Sequence, residues 1–237
     1  MIPVSPAVTG VPYGRPVESV NARVREPKQE RSRLSFDKAL DAVIALLVEH
    51  RSDSFTLADV AQRAGVSTGS IYGRVSSKDD LIRTAHAREM ERIAEEQRAA
   101  FAAEPPAGET FGEAVERVIG TAAELLRRNA AVLGPFMLLA NTDPQIAELG
   151  GAAHAELRDA FVDALVQRED EIGHPDPHRA LEWSFTVVYS VLARWLALGS
   201  TQQASGEGEW SDILADLARM VLAFLTQPEP APRKRRR

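Results

Sequence analysis

The chain has 237 residues, against roughly 100–200 for a typical domain, so one large or two modest domains can each bury a core. It has no cysteine, which excludes disulfides, thiolate nucleophiles, iron–sulfur clusters and cysteine-based zinc sites. The net charge of −6 is uneven: residues 1–80 carry +1, residues 81–227 carry −11 and residues 228–237 carry +4, so one part can meet a polyanion that another part repels.

No apolar run reaches the ~18 residues of a membrane span. The opening MIPVSPAVTG lacks the charged-then-apolar layout of a secretory signal, so a cytoplasmic protein is expected. Alanine is abundant and runs of β-branched residues with period two are missing, which predicts an all-α fold.

Residues 1–33 hold Pro3, Pro6, Pro12, Pro16 and Pro27 and read as a disordered arm that leans basic. A first helix is predicted over 35–50, with Ser35 as its cap and an apolar stripe of Phe36, Leu40, Val43, Ile44 and Leu47. Thr56 and Asp59 approximate a capping box and open a second helix, whose inner face is Leu57, Val60, Ala61 and Ala64. Gly65 stops it. Ser67 caps a very short third helix, 68–72, and Ser77 with Asp80 opens a long fourth helix to about residue 101. Pro105 and Pro106 end that segment. Further helices are predicted over 109–128, 131–140, 144–171, 176–199 and 208–226, with Pro135 breaking or kinking the second of these. The tail from Pro228, which ends RKRRR, reads as disordered and basic. The division is therefore an arm (1–33), a small helical domain (34–80), a larger helical domain (81–227) and a tail (228–237).

Two short capped helices that meet at Gly65 form a helix-turn-helix, and the second can enter a major groove. Ala61 is small where the helices approach, and Val66 and Ile71 pin the second helix onto Val60 and Leu57. Thr68, Gly69, Ser70 and Tyr72 face outward and are small or hydrogen-bonding.

From the first helix stripe through T-x-x-x-V-A-x-x-A-G-V-S-x-G-x-I-Y to S-K-x-x-L, about residues 34–85, the chain resembles the tetracycline-repressor (TetR) family of bacterial transcriptional regulators. The resemblance implies that Thr68, Gly69 and Ser70, capped by Ser67, face base edges or nearby phosphates. It also implies that Tyr72, Lys78 and Thr56 meet the DNA backbone. Tyr72 can equally pack as a core aromatic, and Lys78 can be a solvated charge. The sequence departs from the family at Arg74 and Val75, where a ring and a Phe are usual; Arg74 can still reach a phosphate. Bidentate guanine readout needs Arg or Lys, so direct readout is thin and DNA shape contributes. Arg31 and Arg33, in the basic arm, are candidates for a neighbouring minor groove.

The resemblance further implies that the acidic body dimerises and holds a small effector. The expected dimer face is Leu181, Val188, Leu192, Trp195 and Leu198 with Leu214, Leu217, Val221 and Phe224. The expected pocket draws on Phe111, Phe136, Met137, Phe161, Trp183 and Tyr189, which suit a hydrophobic or aromatic ligand. The function that follows is a homodimeric, ligand-responsive regulator, a repressor released from a palindromic operator, with no catalytic residue, cofactor or metal. His174 and His178 stand four apart beside acidic residues, but Pro175 and Pro177 block the shared helical face that a metal pair needs. The alternative is a helical adaptor that binds a protein partner and no specific DNA.

Overall fold

A computed structural model describes residues 28–199 and 206–227. Among these residues the fold is all helical: α1 (Lys28–His50), α2 (Leu57–Ala64), α3 (Thr68–Tyr72), α4 (Lys78–Phe101), α5 (Phe111–Leu139), α6 (Pro144–Val166), α7 (Pro177–Trp195) and α8 (Trp210–Thr226). A single 3-10 turn, Glu169–Glu171, follows α6. No described helix is long and apolar enough to cross a membrane.

Three elements differ from expectation. Helix α1 begins at Lys28, seven residues before Ser35, so the last six residues of the expected arm are helical. Ser35 is not its cap; the Ser35 hydroxyl donates to the Arg31 carbonyl 2.8 Å away, inside the helix. The two helices expected over 109–128 and 131–140 are one, α5, which runs through Pro135. Proline costs an internal hydrogen bond there. Both flanks are nevertheless anchored, because Leu125 and Leu126 are buried in one core and Phe136 in another. The rest of the arm and the RKRRR tail lie outside the described residues.

There are two hydrophobic cores. The first joins α1, α2 and Ile71 of α3 to Leu81, Ile82 and Ala85 of α4, and is closed by Phe136 of α5 and Ile146 of α6. The second lies around α5, which packs against α6, α7 and α8 and against Met90 and Ile93 of α4. Helix α4 therefore contributes to both cores, its first turns to one and its middle to the other. Gly173 shows how closely the body is packed: a Cβ there would lie 2.7 Å from the Thr226 carbonyl oxygen, while its own N–H donates to Leu225 O at 2.8 Å.

Candidate nucleic-acid interface and internal cavity

The helix-turn-helix is built from local polar contacts. Asp59 N–H donates to Thr56 Oγ1 at 3.2 Å, and Thr56 N–H returns a bond to Asp59 Oδ2 at 2.7 Å, completing a capping box. The backbone and hydroxyl bonds from Thr56 hold the Asp59 carboxyl below its usual range. Gly65 sits at φ 65°, a left-handed conformation that favours glycine, and Val66 N–H closes the turn onto Ala61 O at 3.0 Å. Ser67 Oγ then accepts Ser70 N–H at 3.2 Å and starts α3. Ile71, 1% exposed, is the buried anchor of α3. Gly69, Ser70 and Tyr72 are exposed, Tyr72 by 57%, and Thr68 is half-buried. A Cβ at Gly69 would meet nothing within 4 Å, so nothing within the chain demands glycine there.

The structure reassigns several expected backbone contacts. The Thr56 hydroxyl donates to Asp59 Oδ2 at 2.8 Å, so it is committed to the cap, and the carboxylate beside it opposes a phosphate at that helix end. Lys78 is neither a solvated charge nor an outward one. Its Nζ donates to the Asp53 carbonyl at 2.6 Å and to Asp53 Oδ2 at 3.0 Å, and lies 5.5 Å from the centre of the Phe55 ring. It joins α4 to the α1–α2 loop. Arg74 folds back onto α1, donating to Ser32 Oγ at 3.0 Å with its guanidinium 5.5 Å from the Phe36 ring centre. Val75 packs on the first core. Arg31 and Arg33 are exposed on the first turns of α1, on either side of the Ser32 that Arg74 reaches. The exposed cationic and hydroxyl groups thus gather where the start of α1 meets the end of α3.

Residues 39–85 match the family model described as bacterial regulatory proteins, tetR family. That segment, which holds the helix-turn-helix, is a TetR-type regulator domain. No curated protein matches it. Among solved structures it resembles a transcriptional regulator from Rhodococcus sp. Rha1 (19% identity, 81% of this chain and 95% of that one, TM-score 0.58). It also resembles the fatty acid degradation regulator FadR from Bacillus halodurans (15%, 79% and 94%, 0.56). A third is a TetR family regulator from Marinobacter aquaeolei VT8 (18%, 83% and 98%, 0.53). At these identities the likeness establishes the shared fold. The TetR-type helix-turn-helix makes this chain a DNA-binding protein.

A cavity of about 330 Å³ opens where the two cores meet, among α4, α5, α6 and Tyr189 of α7. That is at the lower end of the ~300–1,000 Å³ of small-molecule sites. Phe136, Met137 and Tyr189 line it as expected. Phe111 and Phe161 do not; they are buried in the second core. Trp183 is 58% exposed on the opposite side of α7, with His174 and Phe224. His154 lines it too, as a polar candidate of the sequence, whereas sequence reasoning missed His86 and Gln97. The signal was present for both: His86, Met90, Ile93 and Gln97 follow helical spacing on one face of α4.

Burial holds the His86 imidazole at a pKa of about 4, against a small opposing pull from Asp143, so it is neutral at neutral pH. Burial also lowers His154, aided by Arg158, and raises Tyr189. Beside the cavity, Asp143 caps α6 by accepting from Gln145 N–H at 3.0 Å and Ile146 N–H at 3.3 Å. Its other oxygen accepts from Arg83 Nε of α4 at 2.8 Å. Burial pushes this carboxyl up, but the Arg83 guanidinium and the two amides outweigh it and the net shift is downward.

The expected dimer face is corrected. Leu181, Val188, Leu192, Leu198, Leu217 and Val221 are all buried in the chain's own core, because α7 and α8 turn those residues toward α5. Leu214 is half-buried against the same core. Trp195 packs against Trp210, ring centres 4.6 Å apart and planes tilted by 47°, and donates to Gly208 O at 3.3 Å. Phe224 remains, 39% exposed, and is joined by Trp183, Val191 and Met220 at 58%, 37% and 62%. His174 and His178 do not converge. His174 Nδ1 accepts Asp176 N–H at 3.1 Å and its ring lies against Phe224, while His178 Nδ1 is 3.9 Å from Glu182.

Proposed function

We propose that the chain is a homodimeric, ligand-responsive repressor that leaves a palindromic operator when an effector enters the α4–α5–α6 cavity. The observation that carries this is the position of the cavity. It lies at the seam of the two cores and is walled by α4, the helix that also packs the DNA-reading domain. In this reading, residues 34–80 read DNA, while residues 81–227 pair two chains and bind the effector, in a cytoplasmic protein. The exposed Trp183, Val191, Met220 and Phe224 on α7 and α8 supply the pairing face. A dimer reads two half-sites and gains from linked binding.

Population shift supplies the mechanism: DNA favours one spacing of the two α3 helices and effector another. Arg83 and Asp143 are the positioning residues, since their ion pair ties the start of α6 to α4 on the DNA side of the cavity. An apolar ligand suits the mostly apolar walls, and FadR, one of the similar structures, is a fatty acid degradation regulator.

The test is binding of the purified chain to its own upstream intergenic DNA, titrated over salt. The expected result is saturable, salt-steep binding with a palindromic footprint, lost by at least about a hundredfold in a Phe224→Asp, Met220→Asp variant that sediments as a monomer. Weak binding of equal strength on any duplex sinks the operator reading, and dimers that survive the double substitution sink the assigned face. Arg83→Ala is expected to keep DNA binding and ligand binding but to lose ligand-dependent release.

A further inference from the structure

The cavity contains polar side chains that have no hydrogen-bond partner among the described residues. His86 is 3% exposed and Gln97 7% exposed. Both line the cavity, and neither side chain has a hydrogen-bond partner among the described residues. The half-buried Tyr189 and the exposed His154 also line the cavity without such a partner. Other buried polar groups nearby are satisfied: Asn129 bonds Leu125 O at 2.9 Å, Glu96 at 3.1 Å and Arg92 at 2.6 Å, and Ser184 donates to Ala180 O at 2.8 Å. A buried amide or imidazole left unpaired is costly, so native structures supply a partner. His86 and Gln97 are therefore open to a partner molecule from outside the chain.

Their placement describes that molecule. His86 and Gln97 are eleven residues apart on α4, which places them on the same face and roughly 16 Å apart along its axis. Met90, Ile93 and Ala94 fill the wall between them, and Gly150 and Gly151 of α6 also border the cavity. A Cβ at either glycine would meet nothing within 4 Å. Among the lining residues there is no Lys or Arg, and the one carboxylate, Glu156, is exposed. An anion entering this cavity would find no counter-charge, since His86 is neutral.

Resting on the ligand-responsive reading above, we infer that the effector is an uncharged, elongated, mainly apolar molecule with a hydrogen-bonding group toward each end. One end meets His86 and the other meets Gln97, with His154 and Tyr189 lining the same cavity. Each of the two α4 groups can both donate and accept, so hydroxyl, ketone and amide functions all suit. A carboxylate does not.

The experiment measures calorimetric binding of decanediol with hydroxyls at both ends, decanol, decanoate and decyltrimethylammonium to the full chain without DNA. The expected order is decanediol, then decanol, with decanoate and the ammonium compound at least tenfold weaker than decanediol. Gln97→Leu and His86→Leu should each weaken decanediol at least fivefold, narrow its advantage over decanol, and leave the melting temperature equal or higher. Decanoate or the ammonium compound binding as tightly as decanediol overturns the inference. So does wild-type decanediol affinity in both variants, because water then satisfies the two groups, and so does failure of the whole series to bind. The wild-type selectivity order judges the inference even where a variant does not fold. Binding in the expected order without any change in operator affinity supports this ligand class and overturns the ligand-responsive reading instead.

Discussion

The helix-turn-helix and the cavity treat polar groups in opposite ways. In the first, the capping hydroxyls and charges are held within the chain: Thr56 by Asp59, Ser67 by Ser70, Lys78 by Asp53 and Arg74 by Ser32. In the second, His86, Gln97, His154 and Tyr189 have no such partner among the described residues. The difference teaches where each region keeps its binding capacity. The helix-turn-helix is a rigid frame that presents the bare backbone of Gly69 and the Tyr72 side chain on its surface, while the Ser70 hydroxyl is held by Ser67 O at 2.6 Å. The cavity keeps two of these groups, His86 and Gln97, buried inside it. Pre-organised frames bind without reordering, whereas buried unpaired groups make binding selective.

The largest effect is expected from removing the single anchor of the rigid frame. Ile71→Ala should cost about 2–5 kcal/mol in denaturant unfolding and abolish operator binding. Full operator affinity in a folded Ile71→Ala protein would break the assignment of α3 as the reading helix.

Acid should next expose the cavity side of the comparison. The folded pKa of His86, about 4, lies below its unfolded value near 6.5. The unfolded chain therefore binds the proton first, and stability falls as pH drops from about 6.5 toward 4. The loss is on the order of 2–3 kcal/mol across that window. His86→Leu should flatten this part of the stability–pH curve; an unchanged slope would assign the acid sensitivity elsewhere.

Thr56→Ala removes one half of a capping box and should cost about 1 kcal/mol of stability. Once the folded fraction is corrected for, operator affinity should stay nearly constant, since the hydroxyl is committed to Asp59. A large residual loss would return Thr56 to the DNA interface.

Gly69→Ala sharpens the comparison with the smallest change in stability. Open space surrounds the new methyl, so the fold should gain about 0.5–1 kcal/mol from helix propensity. DNA affinity should nevertheless fall about tenfold, the signature of a surface that another molecule approaches closely. Equal affinity would remove Gly69 from the contact.

Much of the reading domain was legible because its decisive bonds are short in sequence. Thr56 and Asp59, and Ser67 and Ser70, are three residues apart, so cap, turn and helix follow from neighbouring residues. The same logic failed at α1, where Ser35 resembles a cap but bonds backward within a longer helix. It failed again at Pro135, where packing on both flanks overrides a local breaker. The partners of Lys78, Arg74 and Arg83 lie 25, 42 and 60 residues away, and no spacing rule connects them.

By itself the sequence determined the all-helical class and the helix-turn-helix, because periodicity, caps and the left-handed glycine are local properties of the chain. It also placed aromatic and apolar residues on α7 and α8 without distinguishing core from surface. Only the tertiary structure decided that Leu181, Leu192 and Val221 face α5 while Trp183, Met220 and Phe224 face outward. It alone brought His86 and Gln97 of α4 against α5 and α6 around one cavity. A helix that is apolar around most of its circumference has no local feature that says which side is covered. A cavity belongs to no single helix, so its lining is settled only when all of them pack.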